Sequence, residues 1–181
     1  MSEKQVNEFL YNANIARLAT VKPDGSPFNV PVWYEWDASA RELYVIGRKR
    51  SSWIENLKHE PRVCILIDRS EPPYPKVLIE GTSQIVGSNP EEWIPIAKKM
   101  SARYLGDETG SSYFEGSIDQ PRVLVRIRGN SITTWINPSD EELRERPRLD
   151  WPSKYYEPGS KWYNEYQSEK ATAAAKKKST T

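Results

Sequence analysis

"IARLATVKPDGSPFNVPVWYEW", Ile15 to Trp36, decides how the chain is read. In its first half Ile15, Arg17, Ala19 and Val21 alternate with Ala16, Leu18 and Thr20. In its second, Phe28, Val30, Val32, Tyr34 and Trp36 share one face, and Asn29, Pro31, Trp33 and Glu35 share the other. "KPDGSP" between them is turn chemistry, so the stretch predicts an antiparallel hairpin with the Phe28 set facing a core. Pro31 lies mid-strand without an N–H to donate. It therefore marks an edge, a bulge or a place where something other than a strand approaches.

Working outward, "SEKQVNEFLYNAN" sets Val6, Phe9 and Leu10 at helical spacing behind Ser2, a suitable N-cap. After the hairpin, "ELYVIG", "RVCILID" and "KVLIEGTSQIVG" predict strands, the last two joined by the proline-rich "RSEPPYP". "SNPEEWIPIAKKMSARYLG" predicts a helix with Asn89 as N-cap and Pro90 in its first turn. "DETGSSYFEGSIDQ" reads as a loop or weak helix, and "PRVLVRIRGNSITTWIN" as a final hairpin. The body, residues 1–138, is followed by a charged, aromatic extension, 139–167, expected to dock on the body or a partner subunit, or to act as a lid. Residues 168–181 lack large apolar side chains to bury and are expected to be disordered.

Composition narrows the function. The chain has 181 residues, with 26 Lys and Arg against 25 Asp and Glu for a net charge of +1. This leaves no global field for nucleic acid. Mean hydropathy is −0.76, no stretch fits a membrane span, and the start lacks signal-peptide features, so a cytoplasmic protein is expected. Cys64 stands alone and His59 is the single histidine, which leaves no metal-ligand spacing and no metal site. Nucleotide-loop and hydrolase motifs are missing.

"IGRKRSSWIENL", Ile46 to Leu57, is the candidate anion site. Ser52 followed by Glu55 fits a capping box, so a helix is expected to start there, with its unpaired N–H groups beside Arg48, Lys49 and Arg50. Ser51 and Ser52 add hydroxyl donors. A solvated, self-capped basic turn has the same pattern.

In order, "ARLATVKPDGSPFNVPVWYEWD", "ELYVIGRKRSSWIENLKHEPRVCILID", "YPKVLIEGTSQIV", "ARYLG" and "RVLVRIRGNSITTW" resemble the pyridoxamine 5′-phosphate oxidase-like split-barrel flavoproteins, over residues 6–136. The resemblance implies a mainly β fold, a six-stranded antiparallel split barrel with flanking helices. It also implies a homodimer with flavin at the interface, acting on a small-molecule substrate. Phosphate would be held by the loop matching Arg48, Lys49, Arg50, Ser51, Ser52, Trp53 and Asn56. The ring would lie along Val30, Pro31, Val32 and Trp33, with Lys76 as a cation near it.

Trp53 stands where many deazaflavin-using members carry lysine. The expected cofactor is therefore FMN, with the deazaflavin coenzyme F420 as the alternative. The implied activity is flavin-dependent oxidoreduction of a small organic substrate, with no catalytic side chain identified. A non-catalytic flavin-binding protein is the other reading. Pyridoxal-phosphate-binding residues are not recognisable, which argues against vitamin interconversion.

Overall fold

The computed structural model describes residues 1–71, 74–136 and 159–178. The chain divides into two units, Met1–Asn137 and Pro138–Thr181. In the first, helix α1 (Glu3–Tyr11) starts on the expected Ser2 cap. The Ser2 side chain accepts from the Gln5 N–H while the Gln5 side chain accepts from the Ser2 N–H, and Val6, Phe9 and Leu10 are buried.

β1 (Ala16–Val21) and β2 (Pro27–Val32) form the expected hairpin. Its turn is closed by Lys22 N–H donating to the Ser26 carbonyl at 2.9 Å, with Gly25 at φ 82. Asp24 accepts from the Ser26 hydroxyl and N–H, and these bonds hold its carboxyl below the usual aspartate range.

The alternating run does not continue as one strand. It breaks at Trp33 and Tyr34, and Glu35–Asp37 forms β3. β4 (Glu42–Arg48), β5 (Arg62–Asp68), β6 (Lys76–Gly87) and β7 (Arg122–Trp135) complete an antiparallel sheet in the order β2-β1-β5-β6-β7-β4-β3. This break makes seven strands where six were expected.

β2 and β3, neighbours in sequence, are thus the two edges of the sheet. Laid flat, seven strands would separate their edges by about 29 Å. Three Cα steps from Val32 to Glu35 span at most about 11 Å. The sheet must therefore curl until its edges meet, which gives the split barrel.

The interior is apolar: Leu18, Leu43, Val45, Ile65, Ile67, Val77, Ile79, Val125 and Ile127 are fully buried. The predicted final hairpin is instead one continuous strand, β7. Its register to β6 jumps from Glu80↔Ser131 to Gly81↔Gly129, leaving Asn130 as an extra residue. "GN" here makes a bulge that bends the strand without reversing it.

Helices α2 (Ser52–His59), α3 (Pro90–Leu105) and α4 (Asp107–Glu115) flank the barrel. α3 begins as expected on Asn89, whose side chain accepts from the Glu91 N–H. α4, left open in the sequence, is a helix locked to α3 at Gly110. A Cβ there would lie 2.5 Å from the Ser101 carbonyl oxygen, so only glycine permits this approach. Together α3 and α4 cover the outer face of β4 and β7, where Trp93, Phe114 and Leu124 form a second small core with Ile46.

In the second unit, Lys161–Lys178 is a helix, α5, which spans the end of the aromatic extension and most of the tail that begins at residue 168. Its Ala, Lys, Gln and Glu content has high helix propensity, which hydrophobic patterning alone does not register. The aromatic stretch before it, including Trp151, Tyr155 and Tyr156, lies outside the described residues. No described helix is long and apolar enough to cross a membrane.

Candidate functional site

The break between β2 and β3 places Trp33 beside α3 and α4. Its indole stacks on Tyr104, with centroids 4.9 Å and planes 5° apart, and meets Tyr113 at 5.4 Å with a tilt of 56°. Tyr104 is fixed in turn: its hydroxyl donates to the Asn14 carbonyl at 2.8 Å, and burial raises its phenol pKa. The neighbouring Tyr34 donates to the Leu10 carbonyl at 2.9 Å, and burial pushes its phenol far above the ordinary tyrosine value. Behind these rings Arg103 lies 5.2 Å from the centre of Tyr34 and 5.1 Å from that of Tyr104. Its Nη1 is 3.2 Å from Glu35 Oε2, and Lys99 also pairs with the buried Glu35. This anchors α3 to β3.

Between the edge of β2, the end of β4 and the α3–α4 pair lies a cavity of about 340 Å³. Pro31, Val32 and Trp33 form one wall. Trp93, Met100 and Phe114 form another, with Arg48, Ser51 and Arg122 at the polar side. Arg48 also lines a second cleft of about 740 Å³, together with Lys49, Arg50, Lys58, Glu55 and Gln120. A cavity with aromatic walls and a polar side thus shares Arg48 with a cleft rich in cations.

The loop between them differs from expectation by one residue. Ser51, not Ser52, is the N-cap of α2, its side chain makes no cap bond, and the capping box with Glu55 does not form. Glu55 instead accepts from Lys58 Nζ at 2.7 Å. The Arg48 carbonyl accepts from the Ser51 N–H at 2.9 Å. This tight turn leaves the N–H groups of Ser52 and Trp53 without acceptors among the described residues. Lys49 N–H donates to the Pro121 carbonyl at 3.0 Å, fixing the loop to the start of β7.

A family model described as pyridoxamine 5′-phosphate oxidase matches residues 2–136. The chain belongs to this family. Its members are of oxidoreductase type, and the resemblance drawn from the sequence segments is upheld. The 5a,11a-dehydrotetracycline/5a,11a-dehydrooxytetracycline reductase of Streptomyces rimosus is 27% identical over 140 residues, covering 74% of this chain and 82% of the reductase. A conserved hypothetical protein of Mycobacterium tuberculosis, Rv2991, superposes with a TM-score of 0.65 at 27% identity, covering 75% of this chain and 85% of its own. An F420 reductase has the same fold, with a TM-score of 0.55 at 21% identity, covering 70% and 94%.

Within this family fold the candidate residues divide. Pro31, Val32, Trp33, Arg48, Ser51 and Trp53 come together at the cavity, and Lys49 and Arg50 at the adjoining cleft. Four do not join them. Val30 packs into the barrel core. Ser52 is exposed and lines neither space. Asn56 is buried and donates from Nδ2 to Thr20 Oγ1 at 3.0 Å, a bond that ties α2 to β1. Lys76 sits with Nζ 5.3 Å from the ring centre of Trp135, away from the cavity lining. Trp53 lines the cavity while its ring packs so closely on Gly47 that a Cβ there would be 2.4 Å away.

Sequence reasoning missed Lys58, Tyr113, Phe114 and Arg122. Lys58 was within reach, since it follows the Lys49 loop by two helical turns. The others depend on α4 being a helix and on the β4–β7 register.

Proposed function

We propose that the chain is a reductase that uses a flavin-type cofactor with a long anionic tail, the deazaflavin coenzyme F420. The observation carrying this reading is that Arg48 lines both the aromatic cavity and the cleft that also holds Lys49, Arg50 and Lys58. The donor set suits such a group. The unpaired N–H group of Trp53, the Ser51 hydroxyl and the loop guanidinium groups favour phosphate oxygens, and the wall of Pro31, Val32 and Trp33 favours a flat ring. A single phosphate as in FMN, which the sequence favoured, needs only the Arg48–Ser52 turn, whereas a longer anionic tail also meets Lys49, Arg50 and the Glu55-paired Lys58 of the second cleft.

When bound, the cofactor supplies hydride chemistry. The side chains hold it, orient it and exclude water. Arg48 and Ser51 fix the anionic end, Trp33 on Tyr104 fixes one wall, and Trp93, Met100 and Phe114 keep solvent out. None of these side chains need transfer a proton. By likeness to the Streptomyces rimosus enzyme, the acceptor is a conjugated, unsaturated small organic molecule. A second copy of the chain lies against β2, whose Pro27 and Pro31 lack the N–H groups a further strand would need and leave a side-chain surface to cover.

The test is reconstitution of the purified protein with F420 and, separately, FMN, read by fluorescence and by mass spectrometry of the bound species. F420 should bind, and replacing Lys49, Arg50 and Lys58 with alanine should weaken it more than tenfold. Binding of FMN alone would overturn the choice of cofactor. Binding of neither would overturn the reading as a whole.

A further inference from the structure

On the outer face of the β4–β7 ladder, charges are answered at one end and opposed at the other. At the first end Glu42 is paired in register with Arg128, and its buried carboxylate takes Arg128 Nη2 at 3.1 Å and Arg126 Nε at 3.9 Å. Tyr44 also donates to it, at 3.1 Å. In the middle Ile46 opposes Leu124 beneath Trp93 and Phe114. At the far end Arg48 is paired directly with Arg122.

Residues opposed across an antiparallel ladder point to the same face, with Cβ atoms about 4.5–5.5 Å apart, and like charges there repel. No carboxylate lies within ion-pair distance of either arginine among the described residues, although the same ladder supplies one to Arg126 and Arg128. Both arginines line the cavity, Arg122 half-buried and Arg48 exposed. The Lys49–Pro121 bond holds the two strand ends in this arrangement.

We infer that Arg48 and Arg122 form a two-guanidinium clamp for a phosphate group of the cofactor, the anion that offsets their repulsion. This rests on the cofactor reading above and adds Arg122, on a strand 74 positions away, to the binding residues. Two planar forks facing one tetrahedral anion can each donate two N–H groups, which no lysine at either position reproduces.

The experiment measures affinity for F420 and for FMN across a salt series in the wild type and in Arg122→Gln, Arg122→Lys and Arg126→Ala. Circular dichroism confirms that each variant is folded. Arg122→Gln should weaken the bound cofactor at least tenfold and flatten the salt dependence, because one fewer cation meets the anion. Arg122→Lys should keep the salt slope and recover only part of the affinity. Arg126→Ala should leave both close to wild type. In the cofactor-free protein Arg122→Gln should melt at or above the wild-type temperature, since it removes repulsion. Unchanged affinity in Arg122→Gln, or a loss with an unchanged salt slope, would overturn the clamp while leaving the cofactor reading intact. A wild type that binds neither cofactor would overturn both.

Discussion

The indole of Trp33 lies parallel to the ring of Tyr104, joining the two-residue link between β2 and β3 to helix α3. This stack builds one cavity wall, so the link's conformation and the cavity's shape depend on each other. Trp33→Ala should destabilise the fold by about 1–3 kcal/mol, less than a fully buried tryptophan because Trp33 is half-exposed. In a double-mutant cycle with Tyr104→Leu, measured by urea unfolding, the coupling should be about 0.5–1.5 kcal/mol. Strict additivity would show that the stack contributes nothing.

Gly110 is the point where α4 rests on α3. A methyl group would meet the Ser101 carbonyl and amide backbone at 2.5–2.7 Å, where no side-chain rotation relieves it. Gly110→Ala should cost about 1–3 kcal/mol, read by denaturant unfolding. It should also quench the cavity's function, because Tyr113 and Phe114 move with α4. A variant as stable as wild type would mean that the two helices slide apart freely.

Ser52→Ala should change stability by less than about 0.5 kcal/mol, because Ser52 is exposed and caps nothing. The sequence pattern alone assigned that residue the capping bond, worth about 0.5–2 kcal/mol. Thermal melting of the cofactor-free variant separates the two values.

Cys64 sits half-buried on β5, opposite Glu80 across the β5–β6 ladder. Burial first, and the Glu80 carboxylate second, raise the thiol above its ordinary pKa. Less thiolate is then present at pH 8 than in a free cysteine, so alkylation by iodoacetamide should be slower. Its rate should keep climbing at pH values where a free thiol has levelled off. Glu80→Gln removes the second cause and should speed the reaction at pH 8; an unchanged rate would leave burial as the sole cause.

Local chemistry was legible in the sequence. The Ser2 cap, the "KPDGSP" turn and Asn89 before Pro90 each act within a few residues, and all form as read. The break at Trp33–Tyr34 was not, since the alternation from Phe28 to Trp36 passes through it without a glycine or a turn residue. Pro31 signalled an edge, and β2 is one. What the pattern lacked was the other edge, because β3 takes its place only through pairing with β4. The cap of α2 moved by one residue because Ser51 and Ser52 are chemically equivalent and only the turn at Arg48 chooses between them. Arg122 was invisible as a site residue for the same reason that makes it informative: its partner, Arg48, is fixed by strand register alone.

The closure of the sheet by three Cα steps also dictates an order of assembly. β1 with β2 and β3 with β4 are local hairpins, yet each can take its place only after joining strands far away, β1 with β5 and β4 with β7. Such pairings close long loops and are slow. The β5–β6 hairpin is local, and β7 adds to it along the longest ladder of the sheet, so this ribbon is the expected nucleus, and pulse-labelled amides of β6 and β7 should gain protection before those of β2. The covalent link from Val32 to Glu35 then acts as a drawstring. Whichever hairpin docks first carries the other to the opposite edge, so the cavity beside Trp33 comes into being only at the last step of folding.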